Sequence, residues 1–166
     1  KGSKYKVNKS KISRVLQEEK LINEKSYKKF DDRINNAKKV VQLFLKKNTK
    51  KTVGYGASTK GNIILNHCKI TSKDLKYICD GSSQKLGRYT PGSNIKIISK
   101  EKMRKMKIDY IFVLIWSFRS EVIKQEKKFI KNGGKLIFPL PIFHIVDKEN
   151  YINYLKEDFK TFSFKL

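Results

Sequence analysis

The chain has 166 residues, 39% of them apolar, and a formal net charge of +24 from 39 basic and 15 acidic side chains. That size suits one packed domain with an appended segment, and two cysteines, Cys68 and Cys79, are too few for a disulfide scaffold or a zinc site. The longest apolar run, Tyr110 to Trp116, is far short of the ~20 residues that a membrane span needs, which excludes a helical membrane protein.

The charge is almost all lysine, with arginine only at Arg14, Arg33, Arg88, Arg104 and Arg119. Lysine here reads as the default solvated residue, and no nucleic-acid-binding motif accompanies it, so nucleic acid is not the expected partner. There is no signal-peptide pattern, and the expected location is the cytoplasm, with both thiols reduced and buried.

Residues 1–51 hold 17 basic and 5 acidic residues. Ser10 or Ser13 can cap a first helix over Ile12, Val15 and Leu16, and Ser26 a longer second one. The second carries Tyr27, Phe30, Ile34, Ala37, Val40, Val41, Phe44 and Leu45 at helical spacing. Its stripe is expected to be buried against the following domain or another chain, or to dock a partner domain. From Lys51 the pattern alternates: strand Thr52–Tyr55, helix from Ser58 to Cys68, strand from Tyr77 to Asp80, then a turn-rich loop. Strand Ile95–Ile98 follows, with a short Ser99-capped helix, the strand Tyr110–Trp116, a helix from Phe118 to Lys131, and strand Lys135–Phe138. Phe143–Val146 and Phe162–Leu166 are further edge-strand candidates, with a helix from Lys148 to Lys156 between them. Continuous apolar strands between helices predict an α/β fold: a doubly wound, mostly parallel, Rossmann-like sheet with a helical lead-in. The domain reading is a lead-in over 1–50 and the Rossmann-like domain over 51–166.

The chain is organised around Gly54-Tyr55-Gly56-Ala57-Ser58-Thr59-Lys60-Gly61-Asn62, a strand–glycine turn–helix unit. Such a unit aims bare N–H groups and the helix dipole at an anion. Its spacing is neither the dinucleotide fingerprint nor a P-loop, because Asn62-Ile63 stands where Lys-Ser/Thr is required. A plain core turn therefore stays open beside a phosphate site. Ligands of an open parallel sheet sit at the carboxyl ends of its strands, a rule that gathers this loop with Asp80, Lys85, Arg88, Tyr89, Trp116, Arg119 and Pro139. Asp80 can meet a ribose or cap a turn, and Trp116 can line the site or close the core strand. No carboxylate pair, nucleophile elbow or metal set is visible, so the chain reads as a ligand holder.

The loop motif, Asp80, Lys85-x-Gly87-Arg88-Tyr89-x-Pro91-Gly92, Trp116-x-Phe118-Arg119, Gly133-Gly134-Lys135 and Phe138-Pro139-Leu140-Pro141 occur in one order. Together they resemble the C-terminal domain of S-adenosylmethionine-dependent sugar C-methyltransferases, with departures at Gly81-Ser82-Ser83, Ile115, Ser117 and Ser120. The resemblance implies a methyltransferase that acts on a nucleotide-linked keto-deoxysugar such as a thymidine-diphosphate sugar. It further implies a zinc-binding domain and a methyl-donor domain that hold zinc, S-adenosylmethionine and the catalytic chemistry. This chain is then the substrate-side domain, expected to bind no cofactor and to be catalytically incompetent alone. Its loop and Lys60 would face the diphosphate, and Asp80, Lys85 and Arg88 the nucleoside. A stand-alone nucleotide-sugar binder and a basic nucleic-acid module are the alternatives.

Overall fold

The computed structural model describes residues 6–156. Two compact units divide them, one up to Asn35 and one from Asn36. The first begins with α1 (Lys9–Lys20), whose N-cap is Asn8 and not either expected serine. The amide oxygen of Asn8 accepts from Lys11 N at 3.0 Å and from the Ser10 hydroxyl at 2.8 Å, a cap that lies upstream of both serines. The second helix, α2 (Glu24–Asn48), likewise starts before its predicted cap. Asn23 Oδ1 accepts from Ser26 N at 3.2 Å while Ser26 Oγ accepts from Asn23 N at 3.4 Å, a reciprocal pair that moves the cap three residues upstream.

In the unit from Asn36, six strands form one sheet: β1 (Thr52–Tyr55), β2 (Tyr77–Asp80), β3 (Lys96–Ser99), β4 (Tyr110–Val113), β5 (Lys135–Phe138) and β6 (His144–Val146). Their order is β3-β2-β1-β4-β5-β6. All neighbours are parallel except β6, which runs antiparallel to β5. The order reverses at β1, whose two sides pair with β2 and β4. This is the mixed α/β, Rossmann-like layout that the alternation predicted. The intervening helices are α3 (Thr59–His67), α4 (Lys100–Arg104), α5 (Arg119–Gln125), α6 (Lys127–Lys131) and α7 (Tyr151–Lys156).

Strand side chains alternate between two cores. Phe112, Ile78 and Ile137 join Val41 and Leu45 of α2 and Leu65 of α3 in one cluster. Val53, Tyr55, Cys79, Ile111 and Val113 join Met103, Val122, Ile123 and Ile130 in the other. Both faces are covered, which is why the strands read as unbroken apolar runs.

Two boundaries in this unit differ from expectation by more than a residue. The central strand stops at Val113, and Trp116–Phe118 form a 3-10 turn. The long helix after it is two helices, broken at Glu126. Glu126 is buried, where it takes a 2.6 Å ion pair from Arg104 Nη2 and a 3.1 Å hydrogen bond from the Tyr55 hydroxyl. Of the two edge-strand candidates, β6 is present, and Phe162–Leu166 lies outside the described residues.

The lead-in stripe is split. Val41 and Leu45 are buried and Phe44 half-buried, whereas Tyr27 and Phe30 are exposed.

Candidate functional site

Thr52–Tyr55 delivers the glycine loop to the switch point of the sheet, the place where ligands of such folds sit. Gly56 has φ +88°, with Ile115 against the position of any Cβ, so only glycine makes this turn without strain. Ser58 is the N-cap of α3, and its Oγ accepts from Gly61 N at 3.0 Å. Asn62 N bonds Ser58 O. That leaves the Thr59 and Lys60 amides, the first two of the helix, without an acceptor among the described residues. Both side chains are exposed there, so two N–H groups, a hydroxyl and an ammonium share one helix end with its dipole.

Asp80, at the end of β2, ties two loops together. Its Oδ2 accepts from Ala57 N at 2.8 Å and from Lys85 Nζ at 3.3 Å, and its Oδ1 from Ser82 N at 2.8 Å. Lys85 Nζ also donates to Ala57 O at 3.0 Å. The turn-capping and site readings of Asp80 therefore meet in one residue, because the capped turn is itself a wall of the loop. Sequence reasoning did not find the second tie: Asn66 Nδ2 donates to Pro91 O at 3.2 Å and so fastens α3 to the same β2–β3 connection. Gly92, with φ +76°, lies against the Asn66 amide, so a Cβ there would displace the side chain that makes this tie. An asparagine on an exposed helix face carries no motif, so nothing in the sequence announced it.

The remaining predicted residues divide by burial. Arg88 and Tyr89 are exposed on the β2–β3 connection, and Trp116 is half-buried at the end of β4, packed on both cores. Gly54, Gly56, Ala57, Gly61 and Pro139 are buried, so their contribution to a ligand is backbone. Tyr55 is spent inside the core: its hydroxyl bonds Gln125 Oε1 at 2.8 Å and Glu126, and burial and the Glu126 charge raise its pKa. Arg119 is 2% exposed, with its guanidinium 4.9 Å from the centre of the Tyr154 ring. Asn62 has an amide oxygen that is buried and unpartnered beside the loop.

A cleft of about 640 Å³ lies elsewhere, at the amino ends of β4 and β5, lined by Met103, Met106 and Phe129 and rimmed by Lys107 and Lys128. The chemistry favours the carboxyl end, where two helix amides stand open and two loops are fastened side by side. Among the described residues no three His, Cys, Asp or Glu side chains gather as metal ligands, and no helix is long and apolar enough to cross a membrane.

Residues 1–141 match the family described as the C-methyltransferase C-terminal domain. The chain belongs to that family. It is also 36% identical over 101 residues to C-methyltransferase NovU of Streptomyces niveus, which covers 61% of this chain and 24% of the relative. The chain thus spans about a quarter of the length of the curated relative it matches.

Proposed function

We propose that this domain holds the nucleoside-diphosphate part of a nucleotide-linked keto-deoxysugar for an S-adenosylmethionine-dependent C-methyltransferase. The observation that carries the reading is the Ser58-capped start of α3, with open Thr59 and Lys60 amides beside the Lys60 ammonium. A diphosphate concentrates more charge there than a carboxylate does, and the helix dipole has the favourable sign. Asp80 is a positioning residue: by holding Ala57 N it sets the loop, and by holding Ser82 N and Lys85 it sets the wall that a nucleoside would lie against. Arg88 and Tyr89 stand on that wall with exposed side chains.

Methyl transfer needs the donor, S-adenosylmethionine, whose sulfonium supplies an electrophilic methyl group. The residues at this loop suit an anion, and the family resemblance implies that the donor, the structural zinc and the reacting groups belong to other parts of the enzyme. The setting is a cytoplasmic one, with a methyl-donor domain as partner.

Calorimetric titration tests the reading. Thymidine diphosphate and pyrophosphate should bind the wild-type chain, and thymidine should bind poorly. Lys60→Ala should weaken both anions by about 1–3 kcal/mol, roughly five- to 150-fold. If Lys60→Ala binds both as tightly as wild type, the loop is only a structural turn. Incubation of this chain alone with labelled S-adenosylmethionine and substrate should give no transfer, and turnover would overturn the division of labour.

A further inference from the structure

The cleft at the other end of the sheet has no part in the reading above. It is bounded by Ile108 and Asp109, which lead into β4, and by Asn132 to Gly134, which lead into β5. Two glycines open it. Gly133, at φ +93°, has nothing within 4 Å of where a Cβ would stand, and Gly134 yields the space of a side chain to the Phe129 ring. Phe129 and Met106 are half-buried and Met103 is buried, so the floor sets an aromatic face beside two polarizable thioethers. Such a lining adapts to flat apolar molecules. The charges around it are unevenly committed. Glu126 takes the 2.6 Å ion pair from Arg104, and Asp109 is held by Lys51 Nζ at 2.8 Å. Lys107 and Lys128 are exposed on the rim, and among the described residues no acid pairs with either.

We propose that this cleft is a second ligand site, taking a flat, mainly apolar small molecule that carries a single anionic group. Its volume of about 640 Å³ lies within the range of small-molecule sites, roughly 300–1,000 Å³. The rings of the ligand lie on Phe129 and the two methionines. Its anion meets Lys107 and Lys128, the rim cations that no acid of the cleft engages. A nucleoside diphosphate is disfavoured here, because an apolar floor strips water from its charges without replacing it. The cleft therefore differs from the glycine loop in chemistry as well as in place.

The test is fluorescence titration of the full chain with anilinonaphthalene sulfonate and with phenylnaphthylamine, the same rings without the sulfonate. The sulfonate should saturate a single site and bind at least about tenfold more tightly than the neutral dye. Lys107→Gln with Lys128→Gln should weaken the sulfonate by about tenfold and leave the neutral dye unchanged. Lys20→Gln with Lys25→Gln, which removes two exposed lysines of the first unit, should change neither. Met106→Glu puts a like charge on the floor and should abolish sulfonate binding, with circular dichroism as the check on its fold. Equal binding of the two dyes, the absence of saturable binding, or sulfonate binding that the lysine pair leaves intact overturns the proposal. So does displacement by excess thymidine diphosphate, which would put the dye at the glycine loop. A wild-type dimer in sedimentation that Met106→Glu dissolves would also overturn it, by making the cleft an interface between copies.

Discussion

Tyr27 and Val41 occupy equivalent positions on one face of α2, yet Tyr27 is 67% exposed and Val41 1%. The two units of the chain differ in the same way. From Asn36 onward, the apolar face of α2 meets Leu65, Ile78 and Phe112 in one closed core. Up to Asn35, no described residue is buried. Periodicity tells which face of a helix is apolar and says nothing about what covers it. Cover comes from tertiary partners, which Val41 and Leu45 find within their own unit.

The largest expected effect would sharpen that contrast within one helix. Leu45→Ala should destabilise the chain by about 2–5 kcal/mol, the cost of a cavity among close-packed residues. Phe30→Ala should stay within about 0.5 kcal/mol, because its ring is already in water. Urea unfolding of both variants checks the pair. A costly Phe30→Ala in the chain alone would show that the first unit hides its apolar face after all.

A second expectation uses burial as a chemical signal. Burial, together with the Glu126 charge, pushes the Cys79 thiol from its ordinary value near 9 up to about 12. The raised value means that the folded state keeps the proton that the unfolded chain loses. Stability from this group is therefore complete below pH 9 and declines as pH rises through 9 to 12. Between pH 8 and pH 10.5 the loss should be about 2 kcal/mol. Lysine titration acts on every variant alike, so the measurement is the difference between wild type and Cys79→Ala across that range. A difference that does not change with pH would mean that Cys79 is open to solvent in solution.

Much of the sheet unit was legible because its signals are local and redundant. Gly54-Tyr55-Gly56 after a β run and Ser58 before a helical stripe fix a strand, a turn and a cap within a few residues. The break at Glu126 was not legible, since an acid within a helical pattern looks like a solvated face. Only the arrival of Arg104 and Tyr55 from other elements makes it a buried hub. The Asn8 and Asn23 caps were passed over for serines nearby, because several cap-competent residues compete within one turn. At the candidate site the sequence brought together Lys60, Asp80 and Lys85 through the carboxyl-end rule. It could not show that Asp80 and Lys85 engage each other and Ala57, or that Asn66 ties down Pro91, because such bonds depend on loop geometry alone.

The smallest effect expected lies on that rim, where the buried unit behaves like the exposed one. Lys85 has a side chain that is 43% exposed against 12% for Asp80, so their 3.3 Å ion pair is well screened by water. Removing the cation with Lys85→Met should cost under about 1 kcal/mol, as for other solvent-facing pairs. Asp80→Asn should cost more, about 1–2 kcal/mol. Its carboxylate accepts two backbone N–H groups, Ala57 and Ser82, and an amide presents only one acceptor oxygen to them. The order of the two variants in urea unfolding is the decisive reading. If Lys85→Met proved the more damaging, the lysine bridge to Ala57 O would be what holds the glycine loop in place, and Asp80 would serve mainly to position the lysine.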